Sequence, residues 1–127
     1  MVAIYRKAYP EGHYLVGVAV SNVGSVFMRS ERHAEGEPYF REALAIFEAT
    51  LPADHLNIGI ARIKLGRTLL RQGKTAEAAR ETLAGHDILA KQQEPSVSWL
   101  ESARGDLVEA YTKLGEPALA ARYRGPP

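Results

Sequence analysis

The sequence predicts an all-α fold, a solenoid of stacked helix pairs. Two observations carry this expectation. The first is an internal repeat. Pro10, His13, Gly17, Ala19, Gly24, Arg29, Ala34, Glu35 and Ile46 return 42 residues later as Pro52, His55, Gly59, Ala61, Gly66, Arg71, Ala76, Glu77 and Ile88. A third copy follows at the same shift. Ala61-Arg62 is matched by Ala103-Arg104, Leu65 by Leu107, Gly73 by Gly115, and Ala78-Ala79-Arg80 by Ala120-Ala121-Arg122. The second observation is periodicity: apolar residues recur at helical spacing, and nothing alternates with period two over a useful length. A unit of this size cannot bury its apolar face alone, and stacked neighbours complete the core.

The elements follow in order. Leu15, Val16, Ala19, Val20, Val23, Phe27 and Met28 form the apolar stripe of a first helix over 15–28. Ala34, Tyr39, Phe40, Ala43, Leu44, Ile46 and Phe47 form that of a second. The pair recurs over 58–70 and 76–89, a fifth helix spans 97–114, and a short sixth starts at Pro117 and runs to Tyr123. Pro10, Pro52 and Pro95 precede the first helix of each pair. Gly73 and Gly115 stand between the helices of the second and third pairs, where a left-handed backbone ends a helix well. Glu31 holds that place in the first pair, so a less ideal turn is expected there. Gly24, Gly36 and Gly66 fall inside helices, where each costs about 1 kcal/mol relative to alanine. Close approach of two backbones is the expected compensation. In this register residues 1–8 match the end of a second helix, 9–50 are repeat one, 51–92 repeat two, and 93–127 a shortened repeat three with a frayed tail. The start in mid-repeat suggests a piece of a larger protein, with solenoid ends that would support self-association.

Composition narrows the function class. Sixteen Lys plus Arg against fifteen Asp plus Glu leave a net charge of +1. That balance gives no electrostatic case for nucleic acid or an anionic membrane. No stretch is long and apolar enough to span a bilayer, and no secretory signal opens the chain. With no cysteine there is no thiolate nucleophile, and a cytoplasmic location fits. No histidine pair has metal-ligand spacing. His13 and His55 are repeat-equivalent, which points to capping or packing rather than ligation. Neither a phosphate-cradling Gly-rich motif nor a nucleophile elbow is present. No catalytic residue, metal or cofactor is expected, and the chain is read as a non-enzyme. Trp99 is expected to pack on a helix of repeat two.

The pattern resembles the tetratricopeptide repeat. Val23-Gly24…Phe27, Leu65-Gly66…Leu69 and Leu107-Val108…Tyr111 are similar to the family's first-helix signature. Gly73…Ala78 and Gly115…Ala120 are similar to its turn glycine and second-helix small residue. The 42-residue period exceeds the common spacing of about 34. With Glu35-Gly36-Glu37-Pro38…Ala43-Leu44-Ala45-Ile46…Leu51-Pro52-Ala53-Asp54-His55 it looks like the kinesin-light-chain type, which also occurs in bacterial multidomain proteins. Val108 departs from the small residue of the pattern, and His86-Asp87 replaces the Leu44-Ala45 of repeat one.

The resemblance implies a right-handed α-α superhelix of about three pairs whose first helices line a concave face. Carried through the register, that face presents Val18, Asn22, Ser25 and Arg29, then Ile60, Lys64, Arg67 and Arg71, then Ser102, Asp106, Glu109 and Lys113. The expected role is a protein- or peptide-binding module. Asn22 matches an asparagine suited to a peptide backbone, because an amide both donates and accepts. Arg67 and Arg71 could grip a carboxylate, so an acidic peptide is one expected partner. The bland alternative is a solvated face on which Asp106 and Glu109 balance nearby cations. Two further readings are a structural C-terminal extension or cap of a larger array, and a sensor arm of a multidomain bacterial regulator.

Overall fold

A computed structural model describes residues 13–93 and 97–124 of the chain. The readings placed on residues 1–8, Pro10, Pro95 and the tail after Arg124 lie outside these. Among the described residues there are six helices and no strand. They are α1 Tyr14–Arg29, α2 His33–Thr50, α3 Leu56–Arg71, α4 Thr75–Ala90, α5 Val97–Lys113 and α6 Pro117–Tyr123. Each helix packs on the next, and α1, α3 and α5 also touch one another in sequence. This is a right-handed stack of antiparallel pairs, α1–α2, α3–α4 and α5–α6.

The repeated histidines are caps. His13 Nδ1 accepts from the Leu15 amide at 3.1 Å, and His55 Nδ1 accepts from the Asn57 amide at 3.0 Å. Each thereby satisfies one of the orphan donors of its helix. Such acceptance places the ring proton on Nε2. Between the helices of the pairs, Gly73 and Gly115 adopt φ of 80° and 72°, and Glu31 adopts 60° in the same place. Repeat one therefore makes the same left-handed turn with a side chain that disfavours it.

Small residues let the pairs close. A Cβ on Gly24 would come within 3.0 Å of the Phe40 ring, and one on Gly36 within 3.1 Å of the Gly24 carbonyl. One on Gly85 would lie 2.6 Å from the Gly59 carbonyl and 2.8 Å from Ile63. Phe40, which meets Gly24, is fully buried, as are Leu69 and Leu107. The main apolar cluster runs from Val16 and Val20 on α1 through Phe40, Ala43 and Phe47 on α2 to Leu107, Ala110 and Tyr111 on α5. A second cluster joins repeats two and three, with Ile63, Leu89, Leu100 and Ala103 at its centre and Ile60 and Trp99 against it. Trp99 thus packs on repeat two. The short α6 is held by Ala120, which is fully buried, and by Tyr123, which stacks on Tyr111 and meets the His86 ring edge-on.

Candidate functional site

The inner face is built by α1, α3 and α5 lying side by side, because residues spaced 4, 3 and 4 apart share one helix face. The side chains named from the sequence meet across the two junctions. At the first, Lys64 Nζ donates to Ser25 Oγ at 3.2 Å. At the second, Arg67 donates to both Asp106 carboxylate oxygens, at 3.1 and 3.4 Å. Arg71 reaches Glu109 at 3.1 Å, and Lys113 Nζ holds the same carboxylate at 3.0 Å. Arg67 and Arg71, the cations expected to grip an incoming acid, therefore already hold acids of α5.

These ties repeat in register, and their charges do not. Ser25–Lys64 occupies the same positions at the first junction as Arg67–Asp106 at the second. The counterpart of the Arg71–Glu109 pair is Arg29–Arg67, two cations. The second junction is neutralised from within, whereas the first carries Arg29 and Lys64 with no carboxylate in ion-pair range among the described residues. Burial, and secondarily the Arg29 charge, pushes the Lys64 ammonium below the ordinary lysine value. Its Nζ lies 5.7 Å from the centre of the Trp99 ring, a favourable but weak contact. Asp106 is buried at 5 % exposure, and that burial raises its carboxyl above the usual range despite the Arg67 hydrogen bonds. Glu109 is lowered, first by Lys113 and then by Arg71.

Two recesses open beside the first junction. One, of about 100 Å³, is lined by Val18, Ser21, Asn22, Phe47, Asn57, Ile60, Ala61 and Lys64. The other, of about 290 Å³, is lined by Met28, Arg29, Glu31, His33, Arg67 and Arg71. Asn22 stands exposed at the rim of the first, while Ser25 is buried beneath Lys64. Sequence reasoning named Asn22, Ser25, Arg29, Lys64, Arg67 and Arg71 here and missed Asn57. Asn57 lies in the first turn of α3, where its register partner is the apolar Leu15, so no repeated signal marked it. Ser102 is half-buried on α5, and Lys113 is exposed at the end of the second junction.

The geometry of helix pairs has counterparts among known proteins. The tetratricopeptide repeat pattern matches residues 15–81, more than half of the 127-residue chain. No match was found among curated protein sequences. The chain superposes on the TPR domain of Arabidopsis FLU with a TM-score of 0.73 and 25% identity, over 84% of this chain and 87% of that one. It also superposes on the nearly identical kinesin-light-chain TPR-like repeats of Podosopora anserina, with a TM-score of 0.83 and 20% identity over 96% of this chain. A substituted form of those repeats gives 0.84 at the same identity. This chain spans 58% of the first and 57% of the second of those two structures. Among the described residues no helix is long and apolar enough to cross a membrane. With the matched repeat pattern, the stacked pairs and the kinesin-light-chain-like arrangement, the chain is a member of the tetratricopeptide repeat family, a fold that generally serves protein–protein interaction.

Proposed function

We propose that the chain binds an extended, acidic segment of a protein partner on its inner face, at the junction of repeats one and two. One observation carries the reading: among the described residues α5 supplies acids to the inner face of the second junction, whereas no carboxylate lies in ion-pair range of Arg29 or Lys64 at the first. At the second junction Arg67 holds the Asp106 carboxylate through two nitrogens, the two-pronged grip that a guanidinium offers an acid. At the first junction Arg29, Lys64 and the free edge of Arg67 would receive the partner's carboxylate. Asn22 and Asn57 would bond its backbone, since each amide both donates and accepts. An arriving anion would restore the charge that burial disfavours on Lys64, so binding and protonation of Lys64 would support each other.

A capped octapeptide of alternating Glu and Ser, titrated calorimetrically, tests this. The expected result is binding that weakens as salt rises and is lost in Lys64→Glu, while Lys113→Ala leaves it within about twofold. Binding insensitive to Lys64→Glu, or none at low salt, would remove the reading.

A further inference from the structure

Three guanidinium groups share one recess at the end of the first junction. Arg29, Arg67 and Arg71 all line the opening of about 290 Å³, together with Met28, His33 and the exposed Glu31. A neighbouring recess of about 390 Å³ lies over the turn of repeat one, and the two share Glu31, His33 and Arg71. The inner face therefore continues, at this point, into a path across the turn.

The donors that remain here are specific. Arg67 engages Asp106 through Nε and Nη2, and Arg71 engages Glu109 through Nη1. That leaves Nη1 of Arg67 and the whole Nε–Nη2 edge of Arg71, the edge suited to a two-pronged bond. Arg29 has no hydrogen-bond partner among the described residues. The charges are also uneven. Asp106 balances Arg67, and the single carboxylate of Glu109 is shared by Arg71 and Lys113. No acid balances Arg29, so positive charge remains in excess even with Glu31 counted. Guanidinium groups gathered at one recess repel each other, and an anion between them turns that cost into attraction.

A carboxylate matches only part of this set, because it offers two oxygens in one plane and a single charge. A phosphoryl group offers three terminal oxygens spread over a tetrahedron and carries about −1.5 to −2 charge at pH 7. It can take bonds from guanidinium groups on several sides at once. Solvation is the competing account, since exposed arginines commonly meet only water. It does not explain why Arg29 and Arg67 gather at one recess where the next junction sets Arg71 against Glu109.

We infer that this recess holds the phosphoryl group of a phosphoserine in the partner segment. The inference rests on the reading of the inner face as a peptide-binding surface and names the residue that anchors the peptide there. Glu31 opposes the bound group, which gives a variant expected to strengthen binding rather than weaken it.

The octapeptide of alternating Glu and Ser is compared calorimetrically with the same peptide carrying one central phosphoserine, at equal ionic strength. The phosphopeptide is expected to bind about tenfold tighter or more. Arg29→Gln and Arg71→Gln should each reduce that ratio to about threefold or less, and Glu31→Gln should enlarge it. The Arg71–Glu109 pair is exposed, so its loss leaves the fold intact. A ratio near one, with both peptides bound, would overturn the inference and leave the peptide reading standing. Binding of the phosphopeptide alone would keep this site and remove the plain acidic reading, and binding of neither would remove both. A ratio untouched by both arginine variants would also overturn the inference. So would an equal gain when glutamate replaces the phosphoserine, or inorganic phosphate that binds as tightly as the phosphopeptide.

Discussion

Glu37 shows how one side chain can tie two repeats. It accepts from Arg41 at 2.8 Å on its own helix, and from Lys74 at 3.0 Å and Gln72 at 2.9 Å across the junction. Arg41 extends the tie to Glu77 at 2.7 Å. Burial alone would raise the Glu37 carboxyl, but the bonds from Arg41, Lys74 and Gln72 outweigh it and hold the group at about 2. A carboxyl depressed in the folded state stabilises the fold fully above its unfolded value of about 4.5 and loses that contribution as pH falls towards 2. The whole shift corresponds to roughly 3 kcal/mol. Arg41 and Lys74 are 43% and 49% exposed, so solvent screening reduces this to about 1–2 kcal/mol. Glu37→Gln is therefore expected to lower stability at pH 7 by that amount and to flatten the stability curve between pH 5 and 2. Urea titrations at several pH values check both. A variant that keeps the full acid-dependent loss would place the titration elsewhere.

At the scale of the helix, ends matter as much as faces. Each first helix of repeats one and two begins on a histidine whose Nδ1 takes an amide proton in its first turn. His55→Ala is expected to cost about 1 kcal/mol, and His55→Asn to restore most of it. Thermal or denaturant unfolding of both variants checks this, and equal losses would show that packing rather than capping is the role. Much at this scale was legible in the sequence. Recurrence of His13 and His55 beside a proline marked a structural role, and the period of the apolar residues placed all six helices. Gly24, Gly36 and Gly66 marked close approaches because an interior glycine needs a reason. The inner-face columns were legible too, since a shift of 42 keeps helix phase. What the repeat could not reveal was which column meets which. Ser25 meets Lys64 and Arg67 meets Asp106 at an offset of 39, and Arg71 meets Glu109 at 38. Those offsets come from the lateral slide of neighbouring first helices, a property of the superhelix rather than of any one repeat. Without them the sequence left Arg67 and Arg71 open either to a partner's acid or to Asp106 and Glu109.

Across the whole molecule, stability is expected to be a chain of nearest-neighbour terms rather than a single core. The two apolar clusters make this concrete. The main cluster runs the length of the stack, while Ile63, Leu89, Leu100 and Ala103 belong to the second junction alone. Leu100 is 8 % exposed and supplies the α5 side of that junction. Leu100→Ala removes its packing on α3 and α4 and is expected to cost about 2–3 kcal/mol. In a nearest-neighbour array this loss falls on opening of the terminal unit, α5 with α6. Amide exchange there should quicken by roughly 30- to 100-fold, a factor of ten for each 1.4 kcal/mol. Helices α1 and α2, which share no contact with Leu100, should retain their protection. Arg67–Asp106 and Arg71–Glu109 span the same junction, so their charge pairs would open with it and leave the cationic first junction intact. Equal acceleration in all six helices would show a single cooperative unit instead. Peptide-resolved hydrogen exchange at pH 7 separates the two outcomes, because α1 and α5 lie in different proteolytic fragments. A localised response would also mean that an acidic partner seated between α1 and α3 protects the first two repeats directly. It would reach α5 only through α3, so stabilisation by the ligand should decline along the stack from the first junction to the last helix.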